Sequence, residues 1–166
     1  KDHHTAFTVV DCIARKRAFL VAEVLMKQFS VLGFPHILHT DNGKEFTAKE
    51  VVKKMKAMSP NLTTVTGRPR TPRDQGSVER TNRVVKDMLY AFERDQRING
   101  ETPNWVYTIP NVNAAINARE GEGKHGISSY EVVFNMPFHD REQVLPTVLR
   151  KCETVNQRIK FMANSK

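Results

Sequence analysis

Two acidic residues stand where their carboxylates could hold a metal ion. Asp41 follows a short apolar segment and precedes an Asn-Gly turn, and Glu79 lies in the first turn of a long predicted helix, after a basic loop. An aspartate at a strand end and a glutamate on a facing helix can converge on one ion. Carboxylate oxygens favour Mg²⁺ or Mn²⁺ over Zn²⁺. The pair therefore predicts metal-assisted phosphoryl transfer, with Asp41 and Glu79 as catalytic and metal-binding residues.

Polar and basic side chains accompany Glu79 on the same helix. Asn82, Arg83 and Lys86 follow Glu79 by three, four and seven residues, so helical geometry places all four on one face. A carboxylate beside cations suits a site that binds a metal and also contacts DNA phosphates. A solvent-exposed helix with internal charge pairing has the same pattern, so both interpretations stay open for this stretch alone.

The composition favours a polyanionic partner. The 166-residue chain has a formal net charge of +8 and a pI near 9.7, which favours nucleic acid, although such charge can also serve solubility. It has no run of about 18 apolar residues, so no membrane partner is expected. The two cysteines, Cys12 and Cys152, indicate a reducing compartment and are expected to be buried.

Hydrophobic periodicity predicts an α/β fold. Strands are expected at 7–13, 36–40 and 62–66, where apolar and β-branched residues cluster. Helices are expected at 18–32, 76–97 and 105–118, and a break at Pro110 within the last of these stays open. Two further helices are expected, one from a cap at Thr47 to about residue 58 and one after a cap at Ser128. Segments 67–75 and 121–126 are expected loops. Strands that alternate with helices imply a mixed sheet flanked by helices.

Several single residues receive structural interpretations. Trp105 is expected to anchor a core, His36 and His39 to be core or strand-end residues, and Asp11 to pair within its sheet layer. The C-terminal segment is expected to form a helix separate from the domain at 1–136, with a boundary near 137–140. Its apolar stripe favours docking onto the chain's own surface, and a partner helix stays open. The stripe consists of Val148, Cys152, Val155, Ile159 and Met162.

Four sequence blocks resemble the catalytic core of retroviral-type integrases. HTDNGKEFTAKEV at 39–51 resembles the family's second-aspartate motif, and GRPRTPRDQGSVERTNRVVKDML at 67–89 resembles its loop and glutamate helix. The blocks before Asp41 and after the glutamate helix also fit, so the resemblance spans 1–136. It is strongest to cores of gypsy-like retrotransposons and to those captured in host proteins with KRAB-A or SCAN domains. The resemblance implies a ribonuclease H-like fold and a Mg²⁺ or Mn²⁺ cofactor.

The same resemblance implies roles for individual residues. Asp41 and Glu79 match metal-binding positions, Gln75 and Gly76 match the mobile loop before the helix, and Arg83 and Lys86 match DNA-contacting positions. The residues expected to bind DNA are Arg68, Arg70, Arg73, Gln75, Gly76, Asn82, Arg83 and Lys86. The resemblance also implies self-association as a dimer or higher oligomer, and a location in the nucleus or in an intracellular nucleoprotein particle.

The chain departs from the family pattern at one carboxylate. The family carries a further aspartate on its first strand, and the acids Asp2 and Asp11 stand too close to Asp41 to match it. We therefore expect the first strand and its aspartate to lie upstream of this fragment, and the fragment to be inactive by itself. Three functions remain: a polynucleotidyl transferase core for DNA integration, a captured core that binds DNA or protein without catalysis, and, less favoured, a ribonuclease H-type nuclease of another branch.

Overall fold

The computed structural model of the chain describes residues 1–41, 43–47, 49–66, 72–119 and 126–139. Its elements in chain order are α1 (Ala18–Leu32), β1 (Ile37–Thr40), α2 (Lys44–Thr47), α3 (Lys49–Met58), β2 (Thr63–Thr66), α4 (Pro72–Ile98), α5 (Trp105–Ala118) and α6 (Ser129–Phe134). The chain divides into two compact units. We call Asp11–Ser77 the sheet unit, and Lys1–Val10 together with Val78–Lys166 the helical unit.

The sheet unit is built on a parallel pair of strands. β1 and β2 align from Ile37 with Thr63 to Thr40 with Thr66. Parallel neighbours need a long crossover, and α2 and α3 supply it. The strands expected at 36–40 and 62–66 are confirmed except for their first residues, and α1 is confirmed over the whole expected range. α1 packs against both α2 and α3.

A small apolar core holds the sheet unit together. Ala22 of α1, Val51 and Met55 of α3, and Leu62 before β2 form a buried cluster. α1 reaches this core because its apolar residues repeat every three or four positions. Gly33 ends the helix as expected, with a φ of 88° that side chains rarely adopt and an N–H that donates to the Phe29 carbonyl at 2.9 Å.

The helical unit has its own core between α4 and α5. Met88 of α4 packs with Val112 and Ala115 of α5, and all three are at most 1% exposed. α6 packs on α5 and starts after the cap expected at Ser128, which the structure shows to be a full capping box with Glu131. There the Ser128 Oγ accepts from the Glu131 N–H at 3.1 Å, and Glu131 Oε2 accepts from the Ser128 N–H at 2.7 Å.

The prediction of a strand at 7–13 is wrong. The segment contains no strand residues, and side chains of α5 bind its backbone instead. Thr8 exchanges two hydrogen bonds with the Asn117 amide, and Val10 exchanges two with the Asn113 amide, all between 2.7 and 2.9 Å. An asparagine amide carries a donor and an acceptor, as a neighbouring strand does, so it can satisfy the N–H and the C=O of one residue. Asp11 likewise accepts from Gln28 of α1 at 3.1 Å rather than pairing within a sheet layer.

Two helix starts differ from expectation. The helix expected after a cap at Thr47 begins earlier, since Thr47 is itself helical as the last residue of α2, and α3 covers Lys49–Met58. The side chains of Thr47 and Glu50 lie outside the described residues. α4 begins at Pro72 rather than at Gly76, and proline suits a first helical turn because it has no N–H to satisfy there. The first part of the expected basic loop, 67–71, lies outside the described residues, as does 120–125.

α5 covers the predicted range, answers the question left open at Pro110 and corrects the expectation for Trp105. The helix runs unbroken through Pro110, although an interior proline costs about 3 kcal/mol, because the buried Val112 and Ala115 hold the following turns in the core. Trp105 is 50% exposed and anchors no core. It is the first residue of α5, whereas the buried face begins at Thr108. Cys12 is half-buried rather than buried.

Some expectations fall on parts of the chain that the structure does not describe. The C-terminal stripe and Cys152 lie within 140–166, so the domain boundary near 137–140 stays a prediction. His36 and His39 are exposed, before and within β1 respectively. None of the described helices has the length and apolarity needed to cross a lipid bilayer.

Candidate functional site

Asp41 stands where the predicted metal ligand was expected, directly after β1. The side chain is exposed, and its Oδ1 accepts a hydrogen bond from the Gly43 N–H at 3.1 Å. This contact two residues ahead forms an Asx turn, which explains why the chain turns as the strand ends. The Asx turn restrains the carboxylate, and its second oxygen, Oδ2, can still serve a ligand.

Glu79 lies farther along its helix than expected. Because α4 begins at Pro72, Glu79 falls about two turns into the helix rather than in its first turn. The side chain is exposed, as are those of Asn82, Arg83 and Lys86. The helix buries Met88 on the opposite side. The structure therefore brings these four polar residues to one exposed face, as their spacing predicted.

Carboxylate oxygens are suitable ligands for a divalent ion, but Asp41 and Glu79 alone supply too few of them for a two-metal site. Both Asp41 and Glu79 are exposed, so a hydrated Mg²⁺ or Mn²⁺ can reach either of them. Asp41 belongs to the sheet unit and Glu79 to the helical unit. Among the described residues, no three His, Cys, Asp or Glu side chains are grouped so as to hold a metal. The resemblance to integrases implies a two-metal site, for which a further carboxylate would be needed.

The remaining expected DNA-binding residues lie around the start of α4. Arg68 and Arg70 fall outside the described residues, and so do the side chains of Arg73 and Gln75. Gly76 is helical rather than part of a loop, and a Cβ added there would meet no heavy atom within 4 Å. Its lack of a side chain is therefore not required by packing within the described chain.

Two groups of residues were not predicted from the sequence. Asn113 and Asn117 bind the backbone of 8–10, which only a tertiary structure reveals, because more than 100 residues separate the partners. Tyr90 and Arg97 extend the exposed face of α4 beyond Lys86. The signal for this second group was available, since both residues continue the helical spacing from Glu79.

Curated proteins of a human host and of a retrovirus share sequence with this chain. A segment of 89 residues, 54% of the chain, is 37% identical to human KRAB-A domain-containing protein 2 and covers 18% of that protein. A segment of 133 residues, 75% of the chain, is 31% identical to the Pol polyprotein of radiation murine leukemia virus (strain Kaplan) and covers 21% of it. The chain thus spans about a fifth of each relative's length. No protein-family model matches the chain.

Solved structures share the fold. The chain superposes on the catalytic core domain of BIV integrase with a TM-score of 0.63, at 25% identity and over 80% of both chains. It also superposes on a chain of the simian T-cell lymphotropic virus intasome, solved in complex with a PP2A regulatory subunit. That match has a TM-score of 0.61 and 23% identity, over 74% of this chain and 42% of the other. The expected ribonuclease H-like fold, with helices and a small parallel sheet, is confirmed.

Proposed function

Because the chain is homologous to the catalytic cores of retroviral integrases, we propose that it is the core of a polynucleotidyl transferase that integrates DNA. One observation carries this proposal beyond the resemblance. The exposed face of α4 joins a carboxylate, Glu79, to the DNA-binding candidates Asn82, Arg83 and Lys86. A reaction on DNA needs a metal ligand close to groups that hold phosphates.

In this proposal each residue has a defined role. Asp41 and Glu79 supply carboxylate oxygens to Mg²⁺ or Mn²⁺, and the Asx turn at Gly43 holds the Asp41 side chain. The ion, when bound, would activate the attacking hydroxyl and stabilise the leaving oxygen. Arg83 and Lys86 bind phosphates near the reacting bond, and Asn82 donates a further hydrogen bond. The basic residues Arg68, Arg70 and Arg73, together with Gln75 and Gly76, extend this contact through the segment before α4 and its first turns.

The reaction would proceed in two displacements. Water first attacks a phosphodiester near a DNA end, which frees a 3′-hydroxyl. That hydroxyl then attacks a phosphodiester of target DNA in line, so one bond forms as another breaks. The two-metal site would need a further carboxylate beside Asp41 and Glu79, and we propose that this chain is inactive without it.

Metal binding tests the two carboxylates directly. Calorimetry of the full-length protein with Mn²⁺ should detect binding that Asp41→Asn and Glu79→Gln each abolish or weaken at least about tenfold, since each removes a charged ligand. Glu23→Gln is the matched control, because Glu23 is an exposed carboxylate on α1. Binding that all three variants leave intact would overturn the assignment of both ligands.

A second candidate function is a captured integrase core that binds DNA or protein without catalysis. The match to human KRAB-A domain-containing protein 2 favours it, because over 54% of the chain the sequence is 37% identical to this host protein. A strand-transfer assay with full-length protein separates the candidates. Products that depend on Mn²⁺ and disappear in Glu79→Gln support the transferase, whereas DNA binding without any product supports the captured module.

Two further parts of the proposal concern assembly and location. We propose that the protein self-associates as a dimer or larger oligomer, as the resemblance to integrases suggests. A sedimentation mass equal to that of one chain at high protein concentration would contradict this. We also propose that the protein acts in the nucleus or in an intracellular nucleoprotein particle, where its DNA substrate is found. Imaging of the tagged full-length protein checks the location.

A further inference from the structure

The exposed face of α4 continues well past the residues assigned above. Successive residues of an α-helix turn by about 100°, so Arg83, Lys86, Tyr90 and Arg97 project within about 60° of arc. The structure shows all four exposed, on the side opposite to the buried Met88. At about 1.5 Å of rise per residue, the face extends about 27 Å from Glu79 to Arg97.

Among the exposed charges on this part of α4, cations outnumber acids. From Gly76 to Ile98, Asp87, Glu93 and Asp95 are half-buried, and Glu79 is the exposed acid. The exposed cations on or beside the face are Arg83, Lys86, Arg94 and Arg97, whereas the exposed Arg80 projects away from it. A helix face with this balance attracts a polyanion along its length.

The exposure of Tyr90 indicates which kind of polyanion binds this face. Its side chain is 62% exposed in the middle of the charged face, although an aromatic ring gains more from burial. A tyrosine hydroxyl can donate to a phosphate oxygen, and the ring can pack against the adjacent sugar. Eight base pairs of duplex DNA, at about 3.4 Å each, match the length of the face.

We propose that Tyr90 and Arg97 contact the phosphate backbone of duplex DNA, three to five helical turns beyond Glu79. This inference rests on the proposed function, because the duplex is the one whose reacting phosphate lies at Glu79. The contact lets α4 hold about eight base pairs of duplex along one side. Tyr90 and Arg97 are positioning residues, since they lie far from the reacting bond.

Salt-dependent DNA binding tests the two contacts separately. Affinities of the full-length protein for a duplex of about 30 base pairs are measured from about 0.05 to 0.2 M salt. Arg97→Gln should lower the slope of log affinity against log salt by about 0.9 and weaken binding about fivefold at 0.15 M, because one phosphate contact is lost. Tyr90→Phe should weaken binding about threefold and leave the slope unchanged, because it removes a neutral donor.

Arg80→Gln is the matched control. Arg80 is exposed on α4, and it projects about 90° away from the face. Equal slope changes in Arg80→Gln and Arg97→Gln would overturn the inference, because they would show a general effect of charge. A loss of affinity that appears only with duplex RNA of the same length would also overturn the inference.

The double variant Arg83→Gln, Lys86→Gln separates this inference from the proposed function. If the double variant weakens binding while Arg97→Gln and Tyr90→Phe do not, only the extended contact fails. If none of these variants differs from the unchanged protein, the DNA contacts of the proposed function fail as well. Circular dichroism of each variant checks that α4 keeps its helix content.

Discussion

Asn117 and Thr8 form a closed pair of hydrogen bonds. The Thr8 N–H donates to Asn117 Oδ1 at 2.9 Å, and Asn117 Nδ2 donates to the Thr8 carbonyl at 2.7 Å. Thr8 is 6% exposed and Asn117 is 4% exposed, so water cannot easily replace either hydrogen bond. The pair holds the start of the chain against α5, and Asn113 repeats the same arrangement at Val10.

Replacing Asn117 should destabilise the protein strongly. Asn117→Ala leaves the N–H and the C=O of Thr8 buried without partners, so we expect a loss of about 2–3 kcal/mol in the free energy of unfolding. Chemical denaturation followed by circular dichroism measures it. Asn111→Ala is the matched control, because Asn111 is exposed on the same helix and should change stability little. Equal effects of the two substitutions would contradict the role given to the pair.

The capping box of α6 predicts a second stability change. Ser128→Ala removes the oxygen that accepts from the Glu131 N–H, which should cost about 1 kcal/mol. Ser128→Thr keeps a hydroxyl acceptor at this buried position without adding a charge, and should restore part of the loss. Thermal unfolding of the three proteins compares them. A threonine variant no more stable than the alanine variant would argue against capping as the cause.

Two glycines should respond to alanine in opposite directions. Gly76 is helical with open space at its Cβ position, so Gly76→Ala should stabilise the protein by about 0.5–1 kcal/mol. Gly33 also has open space, but its φ of 88° makes alanine strained, so Gly33→Ala should destabilise by about 1 kcal/mol. Denaturation midpoints of both variants test the contrast. A shift of both midpoints in the same direction would contradict the backbone conformation of one of them.

Asp2 should titrate at unusually low pH. Hydrogen bonds from the Thr5 hydroxyl, and from the Thr5 N–H at 2.7 Å, lower the pKa of the Asp2 carboxyl. A lowered folded pKa means that the carboxylate contributes stability above its ordinary pKa, and that this contribution is lost as pH falls through the lowered value. The stability difference from Asp2→Asn should therefore shrink below about pH 4. A carbon NMR titration of the Asp2 carboxyl that shows no lowering would contradict this.

The amino-acid sequence determined the local elements and the chemistry of the candidate residues. α1, its end at Gly33 and the cap at Ser128 depend on side chains within a few residues of each other, so periodicity and cap residues predicted them. The shared face of Glu79, Asn82, Arg83 and Lys86 followed from helical spacing for the same reason.

Only the tertiary structure decided which hydrogen bonds and packing contacts form between segments that are distant in the sequence. The apolar run at 7–13 has strand-like residues, yet its backbone bonds to Asn113 and Asn117 from far along the chain. The exposure of Trp105 depends on where α5 meets α4, and the unbroken helix at Pro110 depends on the core around Met88 and Val112. Local patterns cannot determine such outcomes, because hydrogen bonds and burial between remote residues outweigh the preferences of a short segment.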